Sequence, residues 1–186
     1  MREPTTKFTQ GSFIAKSASL SSTNAGGVCS VLVAEWLSAG GSLGAASFSS
    51  RGRGAKTSSR IAQGMAHERM TTLNEYGLFS AGGGPGTVSM GNFDAWRGAI
   101  RETGYIYYVK LSNAQEGHAI GVVNKGNRIR VFDPNHGEWE CSSIPDLELL
   151  LMEIAADYQD RYDFDSVEVA KLLTPSLGML AAAITS

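Results

Sequence analysis

The chain has only two cysteines, Cys29 and Cys141, in 186 residues. They do not stand at CxxC spacing, so they make neither a disulfide framework nor a thiolate metal site. If one is a working thiol, the other is not its disulfide partner, and a reducing site of action fits. Histidines are as sparse: His67, His118 and His136 are dispersed, and His67 has no ligand-type residue at metal spacing around it. No metal and no cofactor are therefore expected. Basic charge is not in excess, with 16 Lys+Arg against 18 Asp+Glu, which argues against a nucleic-acid partner held by a basic face. No apolar run approaches the roughly 20 residues that span a bilayer, so no integral membrane segment is expected. The closing GMLAAAITS stretch, 178–186, is apolar but too short and reads as a docked tail or frayed end. The first residues, MREPTTKFTQGSF, lack an apolar h-region and so do not read as a cleavable secretory signal. Gly82 to Gly86 has neither a GK[ST] ending nor GxGxxG spacing, which removes a nucleotide role.

What is present is an ordinary globular composition, 42% hydrophobic and 18% charged. Its length suits one domain over 1–186, with 1–20 a candidate for a loosely ordered N-terminal segment. Lys7 to Ile14 alternates and reads as an edge strand. Val28, Leu32, Glu35 and Trp36 have helical spacing, and that helix ends near Gly40-Gly41. Gly40 to Ser59, with Arg51, Arg53 and Lys56, reads as a solvated loop. Thr57 to Tyr76 has helical periodicity, and Asn92 caps a short helix through Phe93, Trp96 and Ile100. Then the period changes. Tyr105–Leu111, His118–Val123 and Arg128–Phe132 read as an antiparallel meander, with Lys125-Gly126-Asn127 in a tight hairpin and Gly137–Cys141 as a fourth strand. Pro145 opens a helix through Leu147, Leu150, Leu151, Ile154 and Tyr158, and Asp163–Ala170 alternates as a last strand. Helices first and a sheet after make the fold class α+β.

Three residues carry chemistry together. Cys29 falls in the first turn of its helix, where free N–H groups and the positive helix end favour a thiolate. His118 begins one strand of the hairpin and Asp133 ends the next. Counted from a turn centre near residue 126, the two stand almost directly opposite. A carboxylate beside an imidazole fixes its tautomer and stabilises the imidazolium, so thiol, base and orienting acid are all present. Each also has a plainer reading alone: a buried core cysteine, a strand histidine, a turn-forming aspartate before Pro134. His136 competes for the base role from a loop. His118 is preferred, because a strand holds an imidazole more firmly. Cys141, without a basic neighbour, reads as structural.

Cys29 with Trp36 seven residues on, then Gly117-His118-Ala119-Ile120, then Phe132-Asp133-Pro134-Asn135-His136-Gly137-Glu138, resembles the YopT/AvrPphB family of bacterial effector cysteine proteases. The resemblance spans 24–140 in chain order. It implies a papain-like α+β fold, with a helical N-terminal part and a nucleophile helix packed on an antiparallel sheet. It implies a thiol protease with Cys29 as nucleophile, His118 as base and acid, and Asp133 as the orienting carboxylate. An oxyanion-hole Asn a few residues before the nucleophile is expected, and Asn24 stands five before Cys29. Implied too are delivery by a specialised secretion system into a target-cell cytoplasm and a protein substrate there. Lipid-modified small GTPases and host kinases are the implied classes, and a cognate inhibitor or immunity protein is a further candidate partner. Two other readings stay open: a Cys/His/Asp peptidoglycan amidase or deamidase/transglutaminase-type acyl transferase, and an inactive binding module on the same fold.

Overall fold

Alternating apolar and polar residues from Tyr105 onward build a sheet, and the two faces of that sheet decide everything around it. In the computed structural model, residues 1–15, 28–44, 46, 73–82 and 86–173 are described. The elements, in order, are β1 (Thr6–Lys7), α1 (Gln10–Ala15), α2 (Cys29–Ser38), β2 (Gly86–Ser89) and α3 (Phe93–Ala99). There follow β3 (Tyr105–Ser112), β4 (Gly117–Asn124), β5 (Ile129–Asp133), β6 (Gly137–Cys141), α4 (Ile144–Tyr162) and β7 (Ser166–Leu173). The strands form one sheet in the order β1-β6-β5-β4-β3-β7-β2, and every pairing is antiparallel. The mixed helix and antiparallel-sheet class read from the sequence is the one observed.

Strand alternation sorts side chains onto opposite faces. Tyr107, Val109, Leu111, Ile120, Val122, Val131 and Trp139 pack with Leu147, Leu150, Leu151, Ile154 and Tyr158 of α4. Ile106, Tyr108, Ala119, Val123 and Phe132 pack with Val28 and with Cys29, Leu32, Val33, Trp36 and Leu37 of α2. Helix α2 is therefore buried along nearly its whole length, which explains its apolar composition. Its end carries Gly40 and Gly41 at positive φ, as the Gly-Gly pair suggests. Asn92 caps α3, its side chain accepting from the Ala95 N–H, and Ser143 caps α4 by accepting from Asp146.

Three boundaries differ from the sequence reading. The edge strand expected over Lys7–Ile14 is only Thr6–Lys7, and Gln10–Ala15 is helical. The cause is the partner: β6 begins at Gly137, which pairs with Lys7, so the chain beyond Lys7 has no strand to pair with. Gly86–Ser89, to which the sequence reading assigns no strand, is a short exposed edge strand whose pairing to β7 supplies its hydrogen bonds. The last strand runs three residues further than Ala170, to Leu173, and lies between β3 and β2. The basic stretch with Arg51, Arg53 and Lys56, most of the helix expected over Thr57–Tyr76, His67 and Asn24 lie outside the described residues.

One glycine sets how closely α2 approaches the sheet. A Cβ at Gly121 would sit 2.9 Å from Cε3 and 3.0 Å from Cζ3 of Trp36, so the indole lies directly on the bare backbone of β4. Gly121→Ala forces that ring out of a fully buried slot, and overpacking of this kind costs about 1–3 kcal/mol. A lower urea midpoint at unchanged slope is the expected result; an unchanged midpoint would show that the slot is loose.

Candidate active site

Cys29 is the first residue of α2, and the Val28 carbonyl accepts the N–H groups of Val31 and Leu32, each at 3.1 Å. As the first helical residue, Cys29 has an N–H with no acceptor inside the helix. The helix lies on one face of the sheet, while the side chains of His118 and Asp133 share the opposite parity. The three meet at the end of the sheet where β4 begins and β5 stops.

The hairpin places His118 and Asp133 together, but in a different register from the expected one. Its pairs run from Asn124↔Ile129 to Gly121↔Phe132. Continued three steps, that register sets His118 against Asn135 and not Asp133. Asp133 is thus the diagonal neighbour, two residues off direct opposition, and an even offset keeps both side chains on one face. His118 Nε2 and Asp133 Oδ1 are 2.9 Å apart. The other side of the imidazole hydrogen-bonds the Cys29 thiol. With Nε2 committed to the carboxylate, Nδ1 is the ring nitrogen left for sulfur. Cys29 and His118 are buried, and Asp133 is fully so.

The charges follow from this. Burial of Asp133 opposes ionisation, but the His118 charge and hydrogen bond, with a second bond from His136, hold its carboxyl far below the usual range. Burial also lowers the basicity of His118, and Asp133 overrides it, with help from Cys29, raising the imidazole to about 10. Burial raises the Cys29 thiol, yet His118, the Ala119 backbone and Ser30 together bring it below its ordinary value. The geometry therefore favours a thiolate–imidazolium pair braced by a carboxylate. Ser30 is itself fixed, accepting from the Tyr108 hydroxyl at 2.9 Å.

His136 takes a different position from the rival base role. Its Nδ1 lies 2.9 Å from Asp133 Oδ2, and its Nε2 is 3.7 Å from Asp157. It braces the carboxylate from the side away from His118. Cys141 ends β6 beneath α4, with its thiol pushed up to about 12 by burial and by nearby Asp146, which is an inert environment.

Three residues of the site carried no functional signal in the sequence. Tyr158 of α4, read there as a core position, stacks on His118 (centroids 4.6 Å, planes 21° apart) and donates its hydroxyl to both Asp133 oxygens at 3.1 Å. Asn135 gives its N–H to Asp133 Oδ1 at 2.8 Å and its side-chain Nδ2 to the Tyr158 oxygen at 2.8 Å. Gln10 donates from Nε2 to Asn135 Oδ1 at 2.6 Å and accepts the Val28 N–H at 3.0 Å. Only Asn135 lay within a quoted motif. Trp36 and Glu138, both in those motifs, are paired: the indole donates to Glu138 at 2.9 Å, and Arg130 closes on the same carboxylate at 3.0 Å. Among the described residues no group of three His, Cys, Asp or Glu could hold a metal, and no helix is long and apolar enough to cross a membrane.

An antiparallel sheet with one buried helix on each face, and a thiol, imidazole and carboxylate at its end, defines the class of fold. Among solved structures the chain is similar to the Pseudomonas avirulence protein AvrPphB, with a TM-score of 0.65 at 20% identity, over 81% of this chain and 93% of that one. The likeness is one of fold, and it supports the resemblance read from the motifs. No family model and no curated protein matches the sequence.

The buried pair makes stability depend on pH in two senses. Asp133, depressed below the ordinary 3.8, adds stability that is present above that value and is lost as pH falls. His118, raised from 6.5, adds stability that is full below 6.5 and is lost as pH rises through about 10. Asp133→Asn should cost about 3–5 kcal/mol near neutral pH, as expected for breaking a buried pair. It should also flatten the acid side of a plot of urea midpoint against pH. An acid limb as steep as wild type would mean that Asp133 is not the group responsible.

Proposed function

We propose that the chain is a thiol endopeptidase, a papain-like catalytic domain over 1–186. In this reading Cys29 is the nucleophile, His118 the general base and acid, and Asp133 the orienting carboxylate. The observation that carries it is the buried Cys29–His118–Asp133 hydrogen-bonded series at the start of a helix, the arrangement that activates a thiol. The likeness of fold to AvrPphB and the motif resemblance to effector cysteine proteases support it.

The chemistry follows from the pair. The Cys29 sulfur attacks the scissile carbonyl carbon, forming a C–S bond and a tetrahedral oxyanion. The Cys29 N–H faces the developing charge, and Asn24 is assigned as the second donor. His118 gives its proton to the departing amine, and the C–N bond breaks to leave a thioester. Water then gives a proton to His118 and attacks the thioester, releasing the acid and restoring the thiolate–imidazolium pair. Asp133 stays ionised throughout and holds the ring.

By the same reading the protein is a bacterial effector or toxin domain, delivered by a specialised secretion system. It acts on a protein of the target-cell cytoplasm and is open to restraint by a cognate inhibitor or immunity protein. Target-cell extract treated with the protein should yield new protein N-termini in mass spectrometry. Cys29→Ala should lower their production roughly 10⁴-fold or more while keeping the wild-type melting curve, and His118→Ala should lower it as far but melt earlier, because Asp133 loses its buried partner. New termini produced equally by Cys29→Ala would sink the mechanism. Deamidated or cross-linked products without new termini would favour the acyl-transfer alternative.

A further inference from the structure

The contacts around Asp133 form a series whose direction is fixed at both ends. At one end stands the Val28 N–H, which as a backbone amide can only donate, and Gln10 Oε1 accepts it at 3.0 Å. That fixes the Gln10 amide, so its Nε2 must point the other way, to Asn135 Oδ1 at 2.6 Å. The Asn135 amide is fixed in turn, and its Nδ2 donates to the Tyr158 oxygen at 2.8 Å. With that lone pair occupied, the Tyr158 proton points at Asp133, which when ionised can only accept. Both ends agree. If either amide were reversed, two donors or two acceptors would face each other.

The series also joins parts that lie far apart in the chain. Val28 immediately precedes Cys29, Gln10 opens α1, Asn135 lies in the turn after β5, and Tyr158 is on α4. The N-terminal segment is held to that turn by the backbone as well, through Phe8 N–H to His136 O at 3.2 Å and Gln10 N–H to Pro134 O at 2.5 Å.

We infer that Gln10 is a positioning residue, orienting Asn135 and through it the Tyr158 hydroxyl, so that a hydrogen-bond relay runs one way from the Val28 N–H to Asp133. It acts through Tyr158 and does not touch the reacting atoms. The inference rests on the reading of Cys29, His118 and Asp133 as the catalytic group. A donor aimed at the carboxylate makes the site less negative, so its loss raises the proton affinity of every group there, the thiol included.

The readout needs no substrate: the rate of iodoacetamide alkylation of Cys29 against pH, with Cys141 silent in its apolar site. Tyr158→Phe keeps the ring on His118 and removes the donor. It should move the acid midpoint up by about half a pH unit. Gln10→Leu should move it the same way, and the double variant should match Tyr158→Phe alone, since both act through one hydroxyl. Gln10→Met, with an unbranched chain of similar length, carries the same expectation if Gln10→Leu does not fold. Shifts that add in the double variant, or a Gln10 variant that lowers the melting temperature without moving the midpoint, would overturn the relay. A wild-type profile like that of an ordinary thiol would overturn the catalytic reading and the relay with it.

Discussion

The rest of the site depends on one fully buried carboxylate. Asp133 is fully buried, and among the described residues four groups donate to its two oxygens: His118, His136, the Tyr158 hydroxyl and the Asn135 N–H. A buried charge is tolerated only when its lone pairs are satisfied, and this one is. The four donors come from three places in the structure: the start of β4, the turn after β5 (twice) and α4. Holding the charge therefore holds those elements in place. Once it is fixed, the imidazole of His118 has a set tautomer and a set direction, and the thiol has a cation beside it.

A second buried carboxylate does for the helix what Asp133 does for the imidazole. Glu138 of β6 takes the Trp36 indole, the Leu43 N–H and Arg130, and so ties α2 to the far strands of the sheet. With Trp36 lying on the bare backbone of Gly121, the helix can neither slide nor lift. The N-terminus of α2 is thereby aimed at the end of the sheet, where Cys29 meets an imidazole that belongs to the opposite face. A sheet end is a natural place for such a meeting, because there the side chains of both faces can turn toward one another.

Much of this was legible in the sequence, for identifiable reasons. The β3–β6 strands have strong alternation and short turns, and their bounds were read to within a residue or so. The His118–Asp133 neighbourhood was legible because a tight hairpin makes it nearly local. The observed register lies two residues from direct opposition, since counting from a turn does not fix which pair closes it. An even offset preserved the face, so the two side chains still meet. The N-terminal strand was read too long because alternation within Lys7–Ile14 does not reveal where its partner ends. Tyr158 looked like one more apolar-face residue of an amphipathic helix, and its hydroxyl carried no mark of its purpose.

The sequence by itself determined the α+β class, the hairpin, and the position of Cys29 at the start of a helix. These rest on local periodicity and capping, which act over a few residues. Only the tertiary structure decided that the helix and the hairpin share one end of the sheet, that His136 braces the carboxylate away from His118, and that Gln10 reaches Asn135. Those contacts bridge up to 125 residues of chain. Their physical basis is the satisfaction of buried polar groups across separate elements, and no pattern within any one element encodes it.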